Sequence, residues 1–234
     1  MELNVFQNAT RLRDFVYSFL SRGYLKEADE KYLSDMNNNL DLLSDYNTNT
    51  NEQMLSKGIE TMRNLLSKAD SFSDLAEELA FKYATLFLNV SPNDVVSHVH
   101  PYESVYLSPN NLVMQEQRDE VLELYAEFQL GVTKEFKEPE DHIAVELAFL
   151  QKLNELVYRS LEEGNLDEAV SILKAHRKFM EQHLLRWVHL LGRDLLSADA
   201  DGFYAALAHM TMGFVKVDYS YVSEMVEYLE NGGQ

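Results

Sequence analysis

An all-α fold is predicted for this chain of 234 residues on three observations. Apolar side chains recur at the three- and four-residue spacing of one helix face in most segments. Only 4 prolines and 9 glycines interrupt the chain, which is few for a strand-rich fold of this length. No run alternates apolar and polar residues over the length of a strand, and no repeat of fixed period is present. We therefore expect one domain, residues 1–234, built as a compact assembly of several helices.

The first half of the chain contains four predicted helices, each recognised by apolar residues three and four positions apart. Asn8 can cap the first helix and Gly23 can end it. Either Ser71, with Asp74 three residues later, or Ser73 can start the fourth. Residues 37–51 are rich in Asn, Asp, Ser and Thr, which compete for helical backbone hydrogen bonds, so part of this segment is expected to be loop. The helices are predicted over residues 8–23, 26–33, 55–66 and 71–87.

A long irregular segment is predicted between residues 90 and 114, because it contains Pro92, Pro101 and Pro109 together with several asparagines. Loops of this length within a compact domain are unusual and are often functional. The centre of the segment, residues 101–107, is rich in aromatic and β-branched side chains. We expect that centre to form a short extended piece packed on the helices.

The second half is predicted to be helical almost throughout, with turns marked by glycine. Gly131 is expected to end one helix, and Gly164 suits the left-handed position after another. Asn165 and Glu168 form a capping box for the long helix that follows. A turn at residues 199–202 precedes the last two helices. The helices are expected over residues 121–131, 139–163, 165–191, 203–214 and 221–230.

The predicted helix at residues 139–163 has a distinctive start, the sequence Glu-Pro-Glu-Asp-His-Ile at residues 138–143. Pro139 suits the first helical position because it has no amide hydrogen to donate, and the residue before a proline is biased away from the helical region. The acidic residues around it would favour the positive end of the helix dipole. We expect Asp141 and His142 to be exposed on the first turn of this helix.

The chain carries a formal net charge of -19 and contains no cysteine. Such acidity argues against nucleic-acid binding and against docking on an anionic membrane, both of which require a basic surface. It would attract a basic partner, although acidity also serves solubility alone. The lack of cysteine excludes disulfides, thiolate metal sites and cysteine nucleophiles. No secretory signal or membrane-spanning apolar run is recognised, so we expect a cytoplasmic protein without membrane insertion.

Sequence motifs for catalysis or cofactor binding are not found, whether HExxH, G-x-S-x-G, a Walker loop or G-x-G-x-x-G. Glu138, His142 and Glu146 are spaced by four and could ligate a metal if they shared a helix face, but we favour a solvated acidic helix end. His176 and His183 lie near an apolar stripe and are expected to be packed core-edge residues rather than ligands. No cofactor is predicted.

Four short motifs occur in order along the chain. They are KYATLFL at residues 82–88, HPYESVYL at 100–107, EPEDHIAVELAFL at 138–150, and Phe179, His183 and Trp187 in an F-x-x-x-H-x-x-x-W arrangement. Together they resemble the signature of the TorD/DmsD/NarJ family of molybdoenzyme maturation chaperones. The similarity extends over nearly the whole chain and is weakest over residues 37–51. One such motif alone would be a weak indication, whereas four in the same order are specific.

This resemblance implies a chaperone rather than an enzyme. Members of the family hold the apo form of a molybdopterin-dependent reductase in the cytoplasm, commonly by its twin-arginine signal peptide, and delay export until the cofactor is inserted. Such a peptide has arginines followed by an apolar, helix-prone segment. Carboxylates would pair with the guanidinium groups in forked geometry, and an apolar groove would take the remainder. We therefore expect the precursor of such a reductase as the partner.

Our hypothesis places the peptide in a groove between the helix that ends near Phe87, the segment at residues 101–106 and the helix start at Asp141. Asp141 would accept a hydrogen bond from an arginine, His142 would position the peptide, and aromatic side chains would form apolar walls. Leu86, Phe87 and Trp187 also suit the core. The residues expected at the site are Tyr83, Phe87, Pro101, Tyr102, Ser104, Tyr106, Glu138, Asp141 and His142.

The family resemblance leaves the oligomeric state open. Relatives form domain-swapped dimers, for which residues 131–138 would be the natural hinge, so we expect either a monomer or such a homodimer. Relatives also bind guanine nucleotide, for which this sequence contains no motif. The alternative function is an acidic helical scaffold that binds another basic protein. A metal-dependent hydrolase is a more distant third.

Overall fold

Helices make up 79% of the structure, a computed structural model that describes residues 3–88, 90, 99–133 and 136–231, with side chains from residue 9 onward. Within those ranges the backbone contains no strand, only an isolated antiparallel bridge between Tyr102 and His142. The predicted all-α class is therefore confirmed. The helices are α1 Leu3–Leu25, α2 Glu30–Thr50, α3 Gln53–Ser67, α4 Phe72–Phe87, α5 Glu103–Leu107, α6 Glu116–Glu127, α7 Ile143–Glu162, α8 Leu166–Phe179, α9 Leu185–Ala198 and α10 Phe203–Glu230, with a π-helical turn Met180–Leu184 between α8 and α9.

Helix α2 continues through residues 37–50, and only Asn51 of the segment in which a partial loop was predicted lies beyond it, so that prediction is wrong. Buried apolar residues at helical spacing, among them Leu40 and Leu43, hold this helix in place. Its polar side chains bond back to carbonyls one turn earlier: Ser44 donates to the carbonyl of Leu40, and Thr48 to that of Ser44. These side chains therefore bond within the helix instead of favouring another backbone conformation.

In the middle of the chain, the type of one predicted element and the boundaries of two others differ from the structure. Residues 103–107 form the short helix α5 rather than an extended piece. Helix α7 begins at Ile143 rather than at Pro139, because His142 takes the capping position, and residues 139–142 form a turn. Helix α6 ends at Glu127, with Gln129 in the left-handed region (φ 57°), so Gly131 does not end it.

Other local predictions are confirmed. The Ser71 side chain accepts a hydrogen bond of 3.1 Å from the amide of Asp74 at the start of α4. Gly164 follows α7 in the left-handed conformation, with φ 74°. The Asn165 side chain caps α8 by accepting from the amide of Glu168 at 3.3 Å. In each case the capping residue could be predicted from the sequence alone, because the local geometry favours that residue type.

The helices divide into two units. Unit 1 contains residues 1–21, 102–187 and 215–234, and unit 2 contains residues 22–101 and 188–214. The predicted organisation as one domain with a hinge at 131–138 stays a prediction. Residues 134 and 135 of that hinge lie outside the described part of the chain.

The core of unit 1 combines aromatic packing with a buried ion pair. Phe149 lies with its ring centroid 4.7 Å from that of Tyr125 and 4.8 Å from that of Phe179. Arg13 on α1 forms a fully buried salt bridge with Asp218 on α10. Aromatic contacts of this geometry add to the free energy gained by burial alone.

The core of unit 2 packs helices closely through glycine. Gly58 on α3 lies against the backbone of Ala206 and Met210 on α10, so a side chain at this position would displace one of the helices. Gly213 on α10 lies in the same way against the backbone of Leu55 on α3. The two glycines let the helix backbones approach more closely than any other residue would permit.

Candidate functional site

Asp141 is fully buried and caps α5 from outside that helix. Its Oδ2 accepts a hydrogen bond of 2.8 Å from the amide of Ser104, and its backbone carbonyl accepts one of 3.0 Å from the amide of Glu103. Tyr102, the residue before α5, makes no side-chain cap of its own. The first amides of a helix have no partner within it, so Asp141 supplies the acceptors that α5 lacks.

His142 caps the next helix. Its Nδ1 accepts a hydrogen bond of 3.0 Å from the amide of Ala144, and its ring lies edge-on to Tyr102 at 5.3 Å and to Phe136 at 6.2 Å. Burial lowers the pKa of His142 to about 3, so the ring is neutral and Nδ1 is able to accept. The expectation that Asp141 and His142 are exposed is wrong: their side chains are 0% and 3% exposed, because their polar atoms serve two helix ends.

Glu138 is the exposed carboxylate of this turn. Its Oε2 accepts a hydrogen bond of 2.5 Å from the hydroxyl of Tyr102. Tyr102 is in turn bridged to His142 through its backbone. Glu138 therefore lies at the surface directly outside the two buried residues of its own motif.

A cluster of buried carboxyl groups lies beneath α5. Glu103 on α5 and Glu146 on α7 are both 0% exposed. Glu103 Oε2 lies 2.9 Å from Nδ1 of His183, and Glu146 Oε2 accepts a hydrogen bond of 3.1 Å from the indole nitrogen of Trp187. Three of the four sequence motifs therefore meet here, one from α5, one from α7 and one from the π-helical turn and α9. We call these four residues the buried cluster.

Burial raises the pKa of Glu103, and it raises that of Glu146 well above the usual range for a carboxyl group. The negative charge of Asp141 acts in the same direction on both. The side chains of Glu103 and Glu146 also interact with each other, and the Oε1 atom of each has no hydrogen-bond partner among the described residues.

Tyr106 joins α5 to this cluster from the other end of the helix. Its ring stacks on that of Trp187, with centroids 5.7 Å apart and planes inclined by 27°. Six of the predicted site residues thus belong to unit 1 and are brought together around α5 and the turn before α7. They are Tyr102, Ser104, Tyr106, Glu138, Asp141 and His142.

The other three predicted site residues, Tyr83, Phe87 and Pro101, belong to unit 2. The hydroxyl of Tyr83 donates to the backbone carbonyl of Tyr24 at 3.1 Å, and its ring lies 5.0 Å from that of Phe87. Phe87 lies edge-on to Tyr204 at 5.3 Å and remains partly exposed. A groove that joins these residues to those of unit 1 stays a prediction.

The exposed surface beside the turn is strongly acidic. The Tyr125 hydroxyl on α6 donates to the carbonyl of Glu140 at 3.1 Å, which anchors α6 to the turn. Arg118 bonds both Glu140 and Asp119, at 2.6 and 3.3 Å. The exposed carboxylates of α6 are Glu116, Asp119, Glu120, Glu123 and Glu127. This surface offers hydrogen-bond acceptors to a cationic ligand.

The residues weighed as metal ligands are engaged elsewhere. Glu138 bonds Tyr102, while His142 and Glu146 are directed into the protein interior. Within the described ranges, no group of three or more His, Asp or Glu side chains is arranged to hold a metal ion. None of the helices in those ranges is both long and apolar enough to cross a membrane.

The sequence analysis missed Glu103 and Glu146 as members of the site. Glu146 lay within reach of periodicity, because it follows Ile143 by three residues and precedes Leu150 by four, on the apolar stripe of α7. A charged residue at such a position must be buried with a partner. Glu103 and His183 had no comparable sign, since their contact joins residues 80 positions apart.

Comparisons with known proteins support the motif resemblance. The sequence matches the family model described as nitrate reductase delta subunit over residues 49–192. The chaperone protein TorD of Vibrio atlanticus (strain LGP32) is 28% identical over 208 residues, which is 89% of this chain and 93% of the relative. TorD of Aliivibrio salmonicida (strain LFI1238) is 26% identical over 223 residues, covering 95% and 98%.

One solved structure also aligns, that of a candidate redox enzyme maturation protein from Archaeoglobus fulgidus. It has a TM-score of 0.47 and 20% sequence identity, over 87% of this chain and 93% of that one.

Proposed function

This chain belongs to the nitrate reductase delta subunit family, and we propose that it acts as a maturation chaperone on the apo form of a molybdopterin-dependent oxidoreductase, through that precursor's twin-arginine signal peptide. The chaperone role is that of its TorD relatives. The client class and the signal peptide come from the four motifs that resemble the TorD/DmsD/NarJ signature. Its action is binding without catalysis, in the cytoplasm, before export.

The observation that best supports the proposal is the convergence of the family motifs on α5 and the turn at 138–142. Asp141 and His142 each use a side chain to fix a helix end, and the buried cluster holds α5 from below. Nothing in this arrangement needs to react with a ligand. It positions exposed groups, above all Glu138 and the partly exposed rings of Tyr102 and Tyr106.

The chemistry of the surface fits such a peptide. The Glu138 carboxylate can accept two parallel hydrogen bonds from the guanidinium group of one arginine in the peptide. A lysine at the same place in the peptide could not form this paired contact. The aromatic rings beside it offer apolar contact to the segment that follows the arginines. Asp141 and His142 would act on the peptide indirectly, by holding these groups in place.

Substitution of Glu138 tests this site assignment. Glu138→Gln keeps the acceptor for Tyr102 and removes the charge, so we expect a loss of about tenfold in affinity for a labelled twin-arginine peptide, measured by fluorescence anisotropy. Glu163→Gln, an exposed glutamate at the far end of α7, is the matched control and should bind normally. Equal affinity of both variants and the wild type would overturn the role of Glu138.

Co-purification tests the function itself. A tagged version of this chain should retain the precursor of a molybdoenzyme, and the yield should collapse when the twin-arginine leader is deleted from that precursor. If the precursor is retained whether or not its leader is present, or if only a different basic protein is retained, the result would instead support the acidic scaffold.

A further inference from the structure

We propose that Glu103 and Glu146 share a single proton, and that this protonated pair is a clasp that holds α5 on α7 and so positions the ligand-binding residues of α5. The last part of this inference rests on the proposed function. Glu103 and Glu146 are positioning residues in this account, since neither reaches the surface.

The hydrogen bonds available to the two carboxyl groups indicate that the pair carries a proton. One oxygen of each carboxyl has a partner: Glu103 Oε2 lies 2.9 Å from His183 Nδ1, and Glu146 Oε2 accepts from Trp187. The other oxygen of each, Oε1, has no further donor among the residues that the structure describes. Two carboxylates offer only acceptors, so the bond between these side chains forms only when one carries a hydrogen.

The charges around the pair favour the same state. The titratable groups that face it are Asp141 before α7, Tyr125 on α6, His183 on the π-helical turn and Arg186 on α9. Asp141 adds negative charge, and the exposed Arg186 counters only part of it. Two ionised glutamates beside Asp141 would place three negative charges in one buried site, which is strongly unfavourable.

Loss of the proton would open the clasp. The hydrogen between the two carboxyls leaves to solvent, and a pair of carboxylates that repel each other remains. Helix α5 has only five residues, and two of its own side chains, Glu103 and Tyr106, tie it to the cluster. Separation of Glu103 from Glu146 would therefore shift Ser104 and Tyr106 with it.

The proton has a route to solvent. His183 lines a cavity of about 350 Å³ that also touches Glu120 and Glu123 of α6 and Arg186 of α9. Because this cavity brings solvent beside His183, which contacts Glu103 directly, the pair can exchange its proton without unfolding of the unit. The clasp can thus respond to pH while the helices around it stay formed.

Trp187 reports on the clasp directly, because it is the only tryptophan in the chain and donates to Glu146. Its fluorescence, titrated from pH 6 to 9.5, should show a one-proton transition in the wild type, because burial raises the pKa of Glu146 well above the usual range for a carboxyl group. Glu146→Gln should abolish it, because the amide accepts from Trp187 and donates to Glu103 at every pH. Glu163→Gln should leave it unchanged.

The contrary result is a transition that is absent from the wild type or identical in Glu146→Gln. If Glu146→Gln fails to fold, Glu103→Gln provides the same test, because its amide can donate to Glu146 and its carbonyl oxygen can accept from His183. A transition that persists in the folded Glu103→Gln variant would equally overturn the clasp.

Peptide binding separates this inference from the proposed function. Above the transition, the affinity of the wild type for a twin-arginine peptide should fall by up to about tenfold per pH unit, and that of Glu146→Gln should stay constant. If no peptide binds at any pH while Glu146→Gln removes the fluorescence transition, the function fails and the shared proton stands. If both proteins bind with the same pH profile, the clasp has no part in positioning.

Discussion

Asp141 and His142 are both buried, and each uses its side chain to complete a helix end: Asp141 accepts from the amide of Ser104, and His142 accepts from the amide of Ala144. A buried histidine that accepts a backbone hydrogen bond has consequences for stability, and these follow from its neutral state.

Replacement of His142 by Asn should flatten the acid limb of the stability curve. The pKa of His142 is lowered to about 3, so between pH 6.5 and that value the unfolded chain binds the extra proton. Stability contributed by neutral His142 is therefore lost as the pH falls, by about 1.4 kcal/mol per unit. Urea unfolding at pH 7, 5.5 and 4 should show a smaller loss in His142→Asn than in the wild type.

A control for this experiment is the exposed His189, whose change to Asn should leave the slope unaltered. Some slope remains in every variant, because burial also lowers the pKa of His176 to about 3. Equal slopes in the wild type and His142→Asn would contradict the assignment of His142 as a neutral cap.

We expect Asp141 to stabilise the fold as a hydrogen-bond acceptor and not through its negative charge. Asp141→Asn keeps an oxygen for the amide of Ser104, whereas Asp141→Ala leaves that buried amide without its partner. We expect Asp141→Ala to cost about 1–3 kcal/mol of unfolding free energy and Asp141→Asn distinctly less. Urea denaturation at pH 7 measures both. A larger loss in Asp141→Asn would show that the negative charge itself is required.

At the scale of elements, the predicted helix ends were correct at Ser71, Gly164 and Asn165. They were wrong at Asn8 and Gly23, which both lie inside α1. Helix prediction also failed where the deciding contacts lie outside the local sequence. Helix α2 persists through its asparagines because Leu40 and Leu43 are buried, and α5 forms because Asp141 caps it. Both depend on tertiary partners that local propensity does not contain.

The buried ion pair of Arg13 and Asp218 joins α1 to α10 within unit 1. Arg13 also bonds Asn154, and Asp218 accepts from the hydroxyl of Tyr17 at 2.6 Å. Arg13→Met should cost about 3–5 kcal/mol, because it leaves a buried carboxylate without its cation. The double variant Arg13→Met/Asp218→Leu should cost much less than the sum of the single changes, as measured by chemical denaturation.

An exposed ion pair of the same unit provides the comparison. Lys174 and Glu230 are each nearly half exposed, so Lys174→Met should change stability by less than about 1 kcal/mol. If the losses of unfolding free energy in the Arg13 and Asp218 single variants add strictly in the double variant, the cost does not arise from the buried charge that each single variant leaves unpaired.

At the scale of the whole chain, apolar periodicity and composition predicted the helical class, and the net charge predicted an acidic character that suits a basic ligand. The net charge of -19 should speed encounter with an arginine-bearing peptide. The association rate, followed by stopped-flow fluorescence, should therefore fall steeply between 50 and 500 mM NaCl, while the dissociation rate changes little. An association rate that is independent of salt would remove charge from the account of recognition.

The most direct measurement is a calorimetric titration of this protein with the leader peptide of a molybdoenzyme precursor, in three forms: Arg-Arg, Lys-Lys and Gln-Gln at the twin position. We predict measurable binding of the Arg-Arg peptide, weaker binding of Lys-Lys because a point charge cannot pair in forked geometry, and a loss of at least about tenfold for Gln-Gln. Equal binding of all three peptides, or of none, would contradict recognition of a twin-arginine signal by this chain.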